Sequence, residues 1–202
     1  MYEENKPQYR ILLLIALAHG LNDLIQGMIP SIYPALQAKY ALTMTQIGVI
    51  TLCYQLSASI LQPLVGNYTD KHPKPYSQVL GMAFTTLGAI FLSMASSYTT
   101  ILLSVVLIGV GSSVFHPESS RVAFLASGGK RSFAQAIFQL GGNLGTAFAP
   151  LLVILLVFSK KVVDGQLIEE AHQERLIWFC SFSIFAMLIL ILVGKWRSIL
   201  LK

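Results

Sequence analysis

Charge is scarce in this 202-residue chain: Lys, Arg, Asp and Glu make up 11% of it, against about 25% in an ordinary soluble domain. With 54% hydrophobic residues and a mean hydropathy of +0.66, the composition excludes a water-soluble globule and points to a membrane protein. Cysteine is nearly absent. Cys53 and Cys180 each fall inside an apolar run, so neither a disulfide framework nor a cysteine metal cluster is expected, and each reads as a small reduced apolar residue. Acidic residues number nine against fourteen Lys and Arg, but the bases are scattered and form no single patch that could follow a phosphate backbone. Nucleic acid is therefore not an expected partner. Enzyme signatures are missing as well: there is no Gly-x-Ser-x-Gly elbow, no phosphate loop ending in Lys-Ser or Lys-Thr, and no His-Glu-x-x-His. Gly111-Ser112-Ser113 reads as close helix packing. No enzyme activity and no cofactor are expected.

What is present is a series of long apolar runs. Measured against the roughly 20 residues needed to cross a bilayer core, six candidate spans emerge, at about 10–34, 45–66, 77–96, 99–120, 132–158 and 176–194. The expected fold class is all-α, one polytopic transmembrane domain over residues 1–202, with membrane lipid as its surroundings. Short turns such as Ser96-Ser97-Tyr98-Thr99 make consecutive helices antiparallel neighbours. Spans 1–3 and 4–6 can be compared as two three-helix repeats, an arrangement known in transporter folds.

Orientation follows from the basic residues. Lys6, Arg10, Lys71, Lys74, Arg121, Lys130, Arg131, Lys195, Arg197 and Lys202 fall on one side, and Lys39, Lys160, Lys161 and Arg175 on the other. That places both termini in the cytoplasm. The one external loop of any size, Ser159 to Arg175, also holds Asp164, Glu169, Glu170 and Glu174.

Against this apolar background, a few polar groups stand out. Span 1 holds His19, Asn22 and Asp23; His19 and Asp23 are spaced i to i+4 and share a face, with Asp23 near mid-depth at about 1.5 Å per residue. Charge inside a membrane is tolerated mainly facing a bundle or cavity. The pair reads either as a proton or substrate site or as an inter-helix hydrogen bond lining a water cavity. Span 4 ends in Phe115-His116-Pro117-Glu118 with Arg121 one turn on. Glu118 and Arg121 can pair at i to i+3, forming an element that opens on protonation, or they can lie at the boundary and reach out to water. Asp23 and Glu118 are the leading proton or substrate sites, with His19, Asn22, His116, Arg121, Gln139 and Asn143 as cavity candidates. Span 5 carries Gln135, Gln139 and Asn143, with Gly141 and Gly145 in small-xxx-small spacing before Pro150. That pattern favours close helix packing, while Gln139 and Asn143 can line a cavity. A metal site from His19, Asp23, His116 and Glu118 is conceivable by ligand type, but neither helix offers a third clear ligand, so no metal is expected.

The loop after span 2 carries a family resemblance. Gly66-x-x-x-Asp70-Lys71-x-Pro73-Lys74 resembles the signature of the major facilitator superfamily, with Pro73 where that family usually has glycine. Tyr68-Thr69-Asp70-Lys71, Pro73-Lys74-Pro75-Tyr76-Ser77, His19 with Asn22-Asp23, Phe115-His116-Pro117-Glu118 with Arg121, and Ala134-Gln135 through Gly141-Gly142-Asn143 together resemble its fosmidomycin resistance subfamily. The likeness covers nearly the whole chain. It implies an inner-membrane exporter of small molecules, coupled to inward proton flow and working by alternating access. It also implies a cytoplasmic gate at Gly66, Asp70, Lys71 and Lys74. Such transporters have two six-helix halves, and this chain resembles the N-terminal one. The path would then be completed by a second six-helix unit or another copy of the chain; the alternative is a truncated half or membrane partner that does not transport alone.

Overall fold

The computed structural model describes residues 6–163 and 166–200. Asp164 and Lys202, which enter the charge asymmetry above, lie outside them. The elements in chain order are α1 (Tyr9–Ser31), α2 (Tyr33–Tyr40), α3 (Met44–Lys71), α4 (Ser77–Ser93), α5 (Tyr98–Leu125), α6 (Arg131–Val157), the strands β1 (Phe158–Val163) and β2 (Gln166–Ala171), a 3-10 turn at Gln173–Trp178, and α7 (Phe179–Leu200). Five segments are long and apolar enough to cross a bilayer: α1, α3, α5, α6 and the stretch Gln173–Leu200. The sixth apolar helix, α4, has 17 residues, just short of the usual crossing length.

Side-chain caps set where two of these helices begin. Thr43 accepts the Gln46 amide at 3.2 Å and starts α3, and Ser97 accepts the Thr100 amide at 3.3 Å and starts α5, each as a capping box. The turn between α5 and α6 uses Gly128 and Gly129 at φ 53° and 86°, a region costly for residues with a Cβ.

Packing is reciprocal. Leaving the short α2 aside, α1 packs chiefly on α6, and α5 packs on α3 as well as on α4, so the first helix of each triplet meets the second helix of the other. The third helices behave alike, α4 lying on α5 and α7 on α1. Burial follows from that exchange. Half or more of the apolar window is buried in α1 and α5, but only 11% in α3 and 28% in α6. These two helices leave long faces uncovered.

Four boundaries differ from the sequence reading. Span 1 is not one helix to residue 34: α1 ends at Ser31, and Pro34, suited to a first turn, lies at the start of α2. The Gly66–Tyr76 segment is not all loop, because α3 continues to Lys71 and places Gly66 and Asp70 on helical turns. The segment Ser159 to Arg175, expected to be one loop, contains an antiparallel hairpin, with Phe158 paired to Ala171 and Val163 to Gln166; a short, nearly charge-balanced hairpin has no apolar run to reveal it. Span 6 extends past residue 194 as α7, so Arg197 is helical and not in a loop. At the other end of the bundle, buried Gln173 donates to the Leu92 and Ala95 carbonyls at 2.7 and 3.2 Å and accepts from Lys39 and Tyr40. That side chain ties the outer ends of α2, α4 and α7 together.

Candidate functional site

The polar residues singled out in the sequence separate into two groups. The first surrounds Asp23, just past the middle of α1. Its Oδ2 lies 3.1 Å from His19 Nε2, and its Oδ1 lies 3.7 Å from His116 Nε2 on α5. Asn22 donates to Oδ1 at 3.2 Å, and Thr85 of α4 reaches Asn22 at 3.5 Å. Among the described residues, no Lys or Arg pairs with this carboxylate.

His19 is held in one orientation. Its Nδ1 lies 2.8 Å from the Phe138 carbonyl, and its ring stacks on Phe138 with centroids 3.9 Å apart. A carbonyl only accepts, so Nδ1 carries the hydrogen, and in the neutral ring the lone pair on Nε2 faces Asp23. Gly142 makes room for this pair: a Cβ there would meet His19 Cε1 at 2.5 Å and Asp23 Oδ2 at 2.6 Å. Nothing in the local sequence of α6 marks Gly142 apart from its glycine neighbours. Its role appears only when α1 is laid against it.

Two cavities share Asp23 on their walls. One, of 410 Å³ and largely polar, lies toward the end where α1 begins and α5 ends, and is lined by His19, Asp23, Gln62, His116, Ser120, Gln135 and Gln139. The other, of 280 Å³, lies toward the opposite end, with Asp23, Gln26, Tyr33, Thr51, Tyr54, Gln55 and Thr146 on its walls. Tyr54 and Ser112 both donate to Gln26 Oε1, at 2.5 and 3.2 Å. Gln139 and Asn143 are exposed on α6. Gln139 borders the first cavity, while Asn143 borders neither.

The second group is built on Glu118, which does not join Asp23 although His116 is only two residues away. Glu118 is 0% exposed. Its Oε1 accepts from Arg121 at 2.6 Å, and its Oε2 accepts from Arg197 at 2.6 Å and Ser77 at 2.5 Å. Arg121 also reaches Asp70 and, at 3.5 Å, the Gly66 carbonyl. The result is a chain of charge, Asp70–Arg121–Glu118–Arg197, that fastens α3, α5 and α7 at one end of the bundle. Arg197, 1% exposed, is the member that sequence reasoning missed. A basic residue beyond an apolar run reads as a loop charge, and only its burial against Glu118 shows otherwise. Lys71 and Lys74 are exposed beyond this chain.

Gly141 and Gly145 lie where α1 and α6 touch. A Cβ at Gly141 would collide with the Ala16 carbonyl, and one at Gly145 with the Gly20 carbonyl. Pro150 is exposed, inside α6.

The comparisons agree with this architecture. The chain is 45% identical over 193 residues to the fosmidomycin resistance protein of Escherichia coli K12, covering 96% of this chain and 45% of that protein. It is 42% identical over 190 residues to YfnC, an uncharacterised transporter of the major facilitator type from Bacillus subtilis 168, covering 94% of this chain and 44% of that protein. The chain thus spans less than half the length of these relatives. Among solved structures, a bacterial homologue of the human lysosomal transporter Spinster, inward-facing and unoccupied, superimposes with a TM-score of 0.71 at 18% identity over 92% of this chain and 42% of that one. The family match itself runs over residues 15–200, nearly all of the helical bundle, and by that match the chain belongs to the Major Facilitator Superfamily, as a half-length version of its fold.

Proposed function

We propose that the chain is one half of a membrane transporter that exports small molecules in exchange for protons by alternating access. One observation carries the reading: the Asp23 carboxylate borders two cavities whose walls lie toward opposite ends of the bundle. A group so placed can meet a proton or a substrate from either side in turn. His19, Asn22, His116, Gln139 and Asn143 supply further polar contacts on this path. A second six-helix unit covers the open faces of α3 and α6, where Gln55, Gln139, Asn143 and Thr146 are exposed; such polar groups are costly against lipid. The direction, export, and the choice of fosmidomycin as first substrate rest on the likeness to the Escherichia coli protein. The Lys and Arg asymmetry supports a multi-pass protein of the inner membrane with both termini in the cytoplasm.

On this reading, the Asp70–Arg121–Glu118–Arg197 chain is the cytoplasmic latch, with Gly66, Lys71 and Lys74 at its rim. Glu118 and Arg121 therefore serve the gate and not the cavity wall.

Inverted vesicles provide the test. The chain, alone and together with the second six-helix half of the Escherichia coli relative, is expected to take up fosmidomycin when a proton gradient is imposed in at least one of the two preparations. Asp23→Asn is expected to abolish that uptake. No uptake in either preparation would overturn the transport reading; uptake unchanged by Asp23→Asn would overturn the role of Asp23.

A further inference from the structure

His19 and Asp23 present a chemical problem that points to a ligand. With Nδ1–H committed to the Phe138 carbonyl, the neutral imidazole turns a lone pair toward a carboxylate oxygen 3.1 Å away. Two acceptors at that distance repel unless something positive lies between them. A proton can fill the gap between two atoms, but here there is a third donor. His116 brings Nε2 to the other side of the same carboxylate, and the three ligand atoms all lie within 4.8 Å of one another.

We propose that His19 Nε2, His116 Nε2 and the Asp23 carboxylate form a binding site for a divalent transition-metal ion of the kind that imidazole favours, such as Zn²⁺, Co²⁺ or Ni²⁺. Two imidazoles and a carboxylate suit these ions better than Mg²⁺ or Ca²⁺, which take oxygen ligands. Donors about 2.0–2.1 Å from one zinc ion stand roughly 3.4 Å apart in a tetrahedron; the imidazole nitrogens lie 3.1 and 3.7 Å from the two carboxylate oxygens, and all three ligand atoms fall within 4.8 Å, so a small closing movement brings them around one ion. A metal-binding histidine typically donates its other ring N–H to a carbonyl or carboxylate, which fixes tautomer and orientation; His19 does so to Phe138, whereas His116 Nδ1 is buried without a hydrogen-bond partner. Asn22 steadies the carboxylate, and Gly142 leaves the space a side chain would take. The cluster opens on the 410 Å³ cavity, so remaining coordination positions face water or cargo. The sequence reading discounted a metal for lack of a third ligand on one helix. The fold brings it from α5.

The test uses tag-free full-length protein in detergent. Zn²⁺ affinity is measured by competition with a chromophoric chelator, and the zinc environment by X-ray absorption. One ion per chain is expected, with a shell containing imidazole nitrogen. His19→Ala, His116→Ala and Asp23→Asn should each weaken binding by about tenfold or more. His172→Ala serves as the control: its ring lies 3.2 Å from Glu174 in a separate cluster outside the cavity, and its loss should leave affinity unchanged. Absence of saturable Zn²⁺ binding, loss of binding in His172→Ala, or a zinc shell without imidazole in the unmodified protein would each overturn the proposal. No flux is measured, so failure here is separate from failure of the transport reading.

Discussion

Two carboxylates within the helical bundle, half-buried Asp23 and fully buried Glu118, are held in opposite ways. Glu118 is 0% exposed, with two arginines and a serine hydroxyl on its oxygens. Asp23 is 17% exposed, faces two imidazoles and an amide, and borders both cavities. Guanidinium never loses its charge in a protein, so an acid between two of them is fixed as an anion and serves as a structural bolt. Imidazole can give up its charge. An acid beside two imidazoles can therefore exchange what it holds, and the working group and the locking group are told apart by their partners more than by depth.

Removing the lock should have the largest effect. Arg197→Met leaves buried Glu118 short of one cation, and breaking a buried ion pair in this way costs about 3–5 kcal/mol. Asp23→Asn should cost about 1 kcal/mol or less, because the new amide can donate to the His19 lone pair. Thermal unfolding of the purified proteins compares the two; equal losses would break the distinction. An effect between these two is expected where α1 meets α6. Gly145→Val forces a side chain against the Gly20 carbonyl, an overpacking of about 1–3 kcal/mol. Gly66→Ala meets nothing within 4 Å and should change stability by less than about 1 kcal/mol, in the stabilising direction if helix propensity decides it.

The helices were legible in the sequence because six apolar runs leave little else for the chain to do in lipid, and the His19–Asp23 pairing follows from i to i+4 spacing alone. The grouping of His116 with Asp23 and not with Glu118 was not legible. Consecutive polar residues on α5 point to different neighbours, and only packing decides that His116 turns toward α1 while Glu118 turns toward α4 and α7. Arg197 was hidden for a related reason: a charge just past an apolar run looks the same whether it reaches water or a buried acid. The hairpin at 158–171 was missed because its strands are short and carry charge. Gly142, by contrast, lay in a stretch already marked by glycine, but its task depends on a partner helix more than a hundred residues away.

Carbodiimide labelling tests the contrast between the two acids most directly. A hydrophobic carbodiimide reacts with carboxyl groups it can reach in their protonated form, and peptide mass mapping locates the adduct. Labelling of the intact protein should fall on Asp23 and leave Glu118 unmodified. Labelling of Glu118 as fast as Asp23, or no label on Asp23, would contradict the assignment of one acid to exchange and the other to the latch.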